Sequence, residues 1–224
     1  MVLEGMTKQD KLVQIPIGQL TLEGDLQLGN ERAIVLFAHG SGSSRHSPRN
    51  RYVADMLRNA GLGTLLFDLL TRDEERIDEQ TAHLRFDISL LADRLAAVTD
   101  WLVEQKGIVA SDIKIGYFGA STGAAAALVA ATKRQNIIRA VVSRGGRPDL
   151  AGPYLDQVRV STLLIVGGND HPVIGMNQEA FERLKIKDKS LHIVPGATHL
   201  FEEPGKLEEV ARLSREWFER YLLT

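Results

Sequence analysis

Cysteine is missing from all 224 residues, which excludes disulfides, thiolate metal sites and any cysteine nucleophile. Long apolar runs are missing as well. None approaches the ~20 residues needed to cross a bilayer, so no membrane partner is expected. The six histidines are scattered without H-x-x-x-H or H-E-x-x-H spacing, so neither a metal nor another cofactor is expected. Neither sign of charge dominates: the formal net charge is −2 with both signs interspersed, which makes no electrostatic case for nucleic acid. Met1–Lys11 mixes charges without an apolar segment and cleavage site, so no signal peptide is expected. These absences are compatible with a cytoplasmic protein, monomeric or homodimeric.

What is present is ample core material, 44% hydrophobic against 25% charged. No internal repeat or low-complexity linker divides it, so residues 1–224 are expected to form one domain. The chain is organised around Ile113–Ala131. Ile113–Phe118 is apolar and partly β-branched, as a buried strand should be. The segment after it is an Ala-rich run with high helix propensity. Between them, Gly119-Ala120-Ser121-Thr122-Gly123 matches G-x-S-x-G, the pattern of a strand turning sharply into a helix with Ser at a strained apex. A helix starting there aims free N–H groups at whatever binds, which suits a developing negative charge.

Strand and helix signals alternate through the rest of the chain. Lys11–Ile17 and Gln19–Leu28 read as short strands, the second with Leu20, Leu22, Leu26 and Leu28 at period two. Arg32–Ala38, Gly61–Leu70, Ile137–Ser143, Val160–Val166 and Ser190–Val194 read as strands, the apolar ones as covered on both faces. Helices are expected over Pro48–Ala60, Phe86–Gln105 with a stop at Gly107, Gly175–Leu184 and Pro204–Leu222. The acidic stretch Thr71–Thr81 is expected to be a surface excursion near the site mouth. The fold class is therefore α/β, a mostly parallel sheet with helices on both faces, and sites in such sheets form beyond the carboxyl ends of the strands.

The His39 loop, Ser121, Arg144, Asp170 and His199 all fall at such ends. A serine hydroxyl needs a base to take its proton during attack, and His199 is the candidate. A carboxylate must orient that imidazole and stabilise its charged form, and Asp170 is the candidate. Each also has a bland role: Asp170 can shape a turn, and His199 can cap the last helix. His171 is a lesser candidate base because it shares a turn with Asp170. His46 and His83 have no motif around them, and His39 reads as a structural hydrogen-bonder. The loop His39–Ser44 offers the N–H of Ser41 or Gly42, beside that of Thr122, as an oxyanion hole, where one such donor is typically worth ~3 kcal/mol. Arg144 and Arg147 offer charge for an acidic substrate, or pair with acids such as Asp149.

The motifs Leu36–Ser44, Gly116–Gly123, Leu164–Pro172 and His192–Phe201, with the order Ser121, Asp170, His199, resemble the α/β-hydrolase fold. More narrowly, they resemble the dienelactone hydrolase-like group, from about Leu12 onward. The resemblance implies Ser121 as nucleophile, Asp170 as acid and His199 as base. Dienelactone hydrolases proper use a cysteine nucleophile, so Ser121 implies instead a serine hydrolase or esterase acting on a small-molecule ester. Only Arg144–Arg159 lies where many relatives insert a lid, which argues against a lipase. The competing reading is a hydrolase fold kept for binding or scaffolding, with weak or no turnover.

Overall fold

Alternation along the chain is converted directly into sheet geometry. The computed structural model describes residues 11–30, 32–105 and 112–224. Lys11–Ile17 (β1) and Leu20–Gln27 (β2) form an antiparallel pair with Lys11 opposite Leu26. Leu22 and Leu26 point inward, as their period-two spacing requires. The more continuously apolar runs become Ala33–Ala38 (β3), Gly63–Phe67 (β4), Lys114–Ala120 (β5), Ile138–Arg144 (β6), Ser161–Gly167 (β7) and Lys189–Val194 (β8).

The sheet order is β1-β2-β4-β3-β5-β6-β7-β8. β2 runs antiparallel to both of its neighbours, and every pairing from β4 to β8 is parallel. All of β3 is buried because its two faces feed two cores. Ile34, Leu36 and Ala38 pack on one side, and Ala33, Val35 and Phe37 on the other. The helices Pro48–Asn59 (α1) and Lys206–Leu222 (α6) cover the Val35 and Phe37 side. The opposite side is covered by Ile88–Glu104 (α3), Thr122–Lys133 (α4) and His171–Arg183 (α5). In α6 the apolar stripe buries Val210, Ala211 and Phe218. The fold is the expected doubly covered, mostly parallel sheet.

Two expectations need refinement. Thr71–Thr81 lies mostly at the surface, as expected, but as a helix that the sequence reading did not include: Arg72–Thr81 (α2) has a complete capping box, in which Thr71 and Glu74 satisfy each other's backbone N–H groups. The Thr-x-x-Glu signal was present, but Ile77 is the one large apolar side chain in the helix, so no hydrophobic stripe marks it. Helix α5 begins at His171 rather than near Gly175, because Pro172 is tolerated in a first turn, where its missing N–H costs nothing. No large insertion follows β6; residues 148–157 form a kinked run of 3₁₀ turns. The expected stop at Gly107 and residues 1–10 lie outside the described residues.

Because β3, β5, β6, β7 and β8 are parallel, their carboxyl ends and the loops that follow share one edge of the sheet. The sequence-derived candidates gather there.

Candidate active site

Ser121 joins β5 to α4 with φ +51° and ψ −121°, a conformation that costs a non-glycine residue about 1–3 kcal/mol and needs surrounding structure to enforce it. Three backbone hydrogen bonds do so. Ser121 N–H donates to Arg144 O (3.2 Å), and Ser121 O accepts from Ala124 N–H and Arg147 N–H (3.1 Å each). The flanking glycines permit the turn sterically. A Cβ on Gly119 would lie 2.4 Å from Ala124 Cα, and one on Gly123 would lie 2.2 Å from Ala38 O. The Ser121 side chain makes no capping bond to its own helix, so its hydroxyl is not consumed by structure.

Asp170 and His199 come from the loops after β7 and β8. His199 Nδ1 lies 2.7 Å from Asp170 Oδ2. The Asp170 side chain does not cap α5, which sets aside the bland turn-shaping role for its carboxylate. Nor does His199 cap α6, whose N-cap is Gly205. With Nδ1–H donated to the carboxylate, Nε2 presents a lone pair, the state a general base needs. The carboxylate is mostly buried and the imidazole about one-third exposed, so the pair is anchored at one end and accessible at the other. His199 also sits against the β6 end: a Cβ on Gly145 would lie 3.5 Å from its Cε1, and Gly145 follows the residue whose carbonyl holds Ser121.

The loop after β3 forms the other wall. Ser43 N–H closes a turn on Gly40 O (3.2 Å) with Gly42 at φ +64°, the left-handed third position that type II turns require. Ser41 Oγ is 3.1 Å from Thr122 Oγ1, which joins this turn to the elbow. Thr122 opens α4, so its N–H has no partner in the helix. Arg45 anchors the far side of the loop: its N–H donates to Asp68 Oδ1 (2.7 Å), and its guanidinium pairs with Asp68 and with Glu23 Oε2 (2.8 Å). Arg45 and Asp68 went unrecognised in the sequence, since their pairing spans two strands and no local motif records it.

A cleft of about 230 Å³ opens beside this loop, lined by Gly40, Ser41, Gly42 and Thr122 on one side and by Glu75, Glu79 and Arg85 on the other. It abuts the elbow, since a Cβ on Gly40 would lie 2.9 Å from Ser121 Cβ. Its volume lies just below the usual range of about 300–1,000 Å³ for ligand pockets and suits only a small molecule.

Arg144 is not brought to this cleft. Its guanidinium is buried beneath α1 and donates to Asn50 Oδ1 (3.1 Å); burial, with repulsion from Arg49, lowers its pKa to about 10. Arg147 is paired with Asp149 (2.7 Å). His39 is buried, with Nδ1–H donated to Gly40 O and Nε2 accepting from Leu69 N–H, both at 3.0 Å. Burial pushes its pKa down, which keeps it neutral and structural. His46, His83 and His171 are exposed. Among the described residues no group of three or more His, Asp or Glu side chains could hold a metal ion, and no helix is long and apolar enough to cross a membrane.

Comparison with known proteins places this geometry in context. The sequence model of the Dienelactone hydrolase family matches residues 24–222. The crystal structure of a dienelactone hydrolase from Anabaena variabilis superposes with a TM-score of 0.92 at 58% identity, covering 96% of this chain and 98% of that one. XC6422 from Xanthomonas campestris, described as an α/β serine hydrolase without a lid, shares the fold at a TM-score of 0.76 and 19% identity, covering 96% of each chain. Two Mycobacterium tuberculosis proteins, provisionally named phosphoribosyl transferases, are 56% identical over 211 residues, which is 94% of this chain and 46% of theirs. The chain thus spans about half the length of the curated relatives it matches.

Proposed function

The chain belongs to the dienelactone hydrolase family, and on that premise we propose that it is a serine hydrolase cleaving small carboxylic esters through an acyl-enzyme on Ser121. Family and fold support hydrolase chemistry. The observation that carries the finer reading is the 2.7 Å contact between His199 Nδ1 and Asp170 Oδ2 at the strand edge that also holds Ser121.

In this mechanism Ser121 Oγ attacks the ester carbonyl carbon while His199 Nε2 takes its proton. Asp170 accepts the Nδ1–H bond and stabilises the imidazolium. The charge that forms on the carbonyl oxygen meets the N–H of Thr122 and that of Ser41 or Gly42, and the positive end of α4. Collapse breaks the bond to the alcohol, which leaves with the proton from His199. Water then repeats the sequence on the acyl-enzyme and returns Ser121. No lid has to move, because the cleft is open to solvent.

The name carried by the M. tuberculosis relatives comes with chains about twice as long, and the described residues supply no observation that favours phosphoribosyl transfer. The test is intact-mass labelling with a fluorophosphonate followed by peptide mapping. A single adduct on Ser121, absent from Ser121→Ala, is the expected result. A folded protein that takes no adduct moves the scaffold reading ahead.

A further inference from the structure

The cleft beside Ser121 carries an unbalanced charge. Its one lining cation, Arg85, is already matched: Arg85 Nε donates to Asp78 Oδ2 at 2.6 Å and Arg85 N–H to Asp78 Oδ1 at 3.0 Å. Glu75 and Glu79 also line the cleft, one turn apart on α2. Among the described residues neither carboxylate has a hydrogen-bond or ion-pair partner, whereas the neighbouring Glu74 is fully engaged with Arg94 and Thr71. The arginines whose fields reach Glu75 form their ion pairs with other acids, Arg45 with Asp68 and Glu23 and Arg72 with Glu23. Like charges at i and i+4 work against a helix by a few tenths of a kcal/mol, so α2 keeps half-buried Glu75 and exposed Glu79 in the cleft wall at its own expense. Arg144, the cation otherwise available at this edge, is buried away beneath α1.

We propose that Glu75 and Glu79 determine specificity, making the cleft beside Ser121 selective for esters that carry a positively charged group and hostile to carboxylate-bearing ones. The proposal rests on the hydrolase reading for its chemistry, and on the cleft's lining alone for its charge preference. The reacting ester sits at the elbow between Ser41 and Thr122, and the cationic portion extends along the cleft to the two carboxylates. An anionic ester placed the same way meets two carboxylates that have no hydrogen-bond or ion-pair partner among the described residues. The burial of Glu75, together with the fields of Asp68 and Glu79, pushes its carboxyl pKa up against the opposing fields of Arg45 and Arg72.

Three matched thioesters test this: acetylthiocholine, its uncharged carbon isostere S-(3,3-dimethylbutyl) thioacetate, and anionic 3-(acetylthio)propionate. Thiol release is read with a disulfide chromogen, free of background because the chain has no cysteine. The expected order of kcat/KM is cation, neutral, anion. The cation should lead the neutral ester by about tenfold at low salt, and the lead should shrink as ionic strength rises. In the Glu75→Gln/Glu79→Gln double variant the cation-to-neutral ratio should fall toward one. A ratio unchanged in that variant, or a preference for the anion, overturns the proposal.

Calorimetric titration of Ser121→Ala, with and without the two glutamine substitutions, separates the two levels. Absent labelling and turnover sink the hydrolase reading, while the titration still decides the charge preference. Tighter binding of acetylthiocholine than of its neutral isostere, abolished by the glutamines, supports the specificity role. Equal binding of the two overturns it.

Discussion

Ser41 Oγ and Thr122 Oγ1 are 81 positions apart in the chain and 3.1 Å apart in space. Their hydroxyls tie the loop after β3 to the first turn of α4, so the two backbone segments proposed to hold the oxyanion are spaced by a side-chain bond. Preorganisation of this kind matters because donors already in place cost nothing to reorient during reaction.

Removing either hydroxyl should therefore loosen the hole without deleting a donor. Ser41→Ala and Thr122→Ala are each expected to lower kcat by roughly 3- to 30-fold, the scale of one net hydrogen bond of about 1 kcal/mol plus some loss of alignment. In a double-mutant cycle on kcat with a p-nitrophenyl ester, the two effects should fall short of additivity. Fully additive losses would mean that the hydroxyls act separately.

Asp170→Asn keeps the shape of the side chain but favours the wrong imidazole tautomer at His199. On the proposed mechanism kcat should fall by about 10²- to 10⁴-fold with KM little changed. The near-ultraviolet circular dichroism spectrum should stay unaltered. A variant that retains more than a tenth of wild-type kcat would remove Asp170 from the mechanism.

Acid should loosen α2 before it unfolds the rest. Hydrogen bonds from Arg94, and then from the Thr71 backbone, hold the Glu74 carboxyl at about 2, down from its ordinary 4.5. A depressed folded-state pKa gives stability that is complete above about pH 4.5 and is lost as pH falls toward about 2. Urea midpoints measured across this window should drop for the wild type and drop less steeply for Glu74→Gln. Identical slopes would contradict the role given to this carboxylate.

Glycine substitutions should separate steric need from mere tolerance. Gly123→Ala drives a Cβ to 2.2 Å from Ala38 O, with no flexible side chain to yield, and is expected to cost about 3 kcal/mol or more. Gly175→Ala, inside α5 with nothing within 4 Å of the added carbon, should raise stability by about 0.5–1 kcal/mol. Thermal midpoints of the two variants should move in opposite directions.

Local chemistry decided much of this protein in advance. The period-two pattern of β2, the doubly apolar run of β3 and the Ala-rich start of α4 each depend on residues within a few positions of one another, so the strand–helix alternation and the doubly covered sheet were legible. The Gly119–Gly123 turn was legible for the same reason, as were Asp170 and His199, because parallel strands deliver their carboxyl-end loops to one edge. Helix α2 was not, although its Thr71–Glu74 capping box stood in plain view, because a helix so poor in apolar side chains leaves no hydrophobic stripe. The sequence alone therefore determined which residues reach the carboxyl edge of the sheet. Only the tertiary structure decided where their side chains point. It buried Arg144 against Asn50, matched Arg85 with Asp78 and left Glu75 and Glu79 without a hydrogen-bond or ion-pair partner among the described residues. Charge balance in a cleft depends on pairings between segments distant in the chain, and no local pattern encodes them.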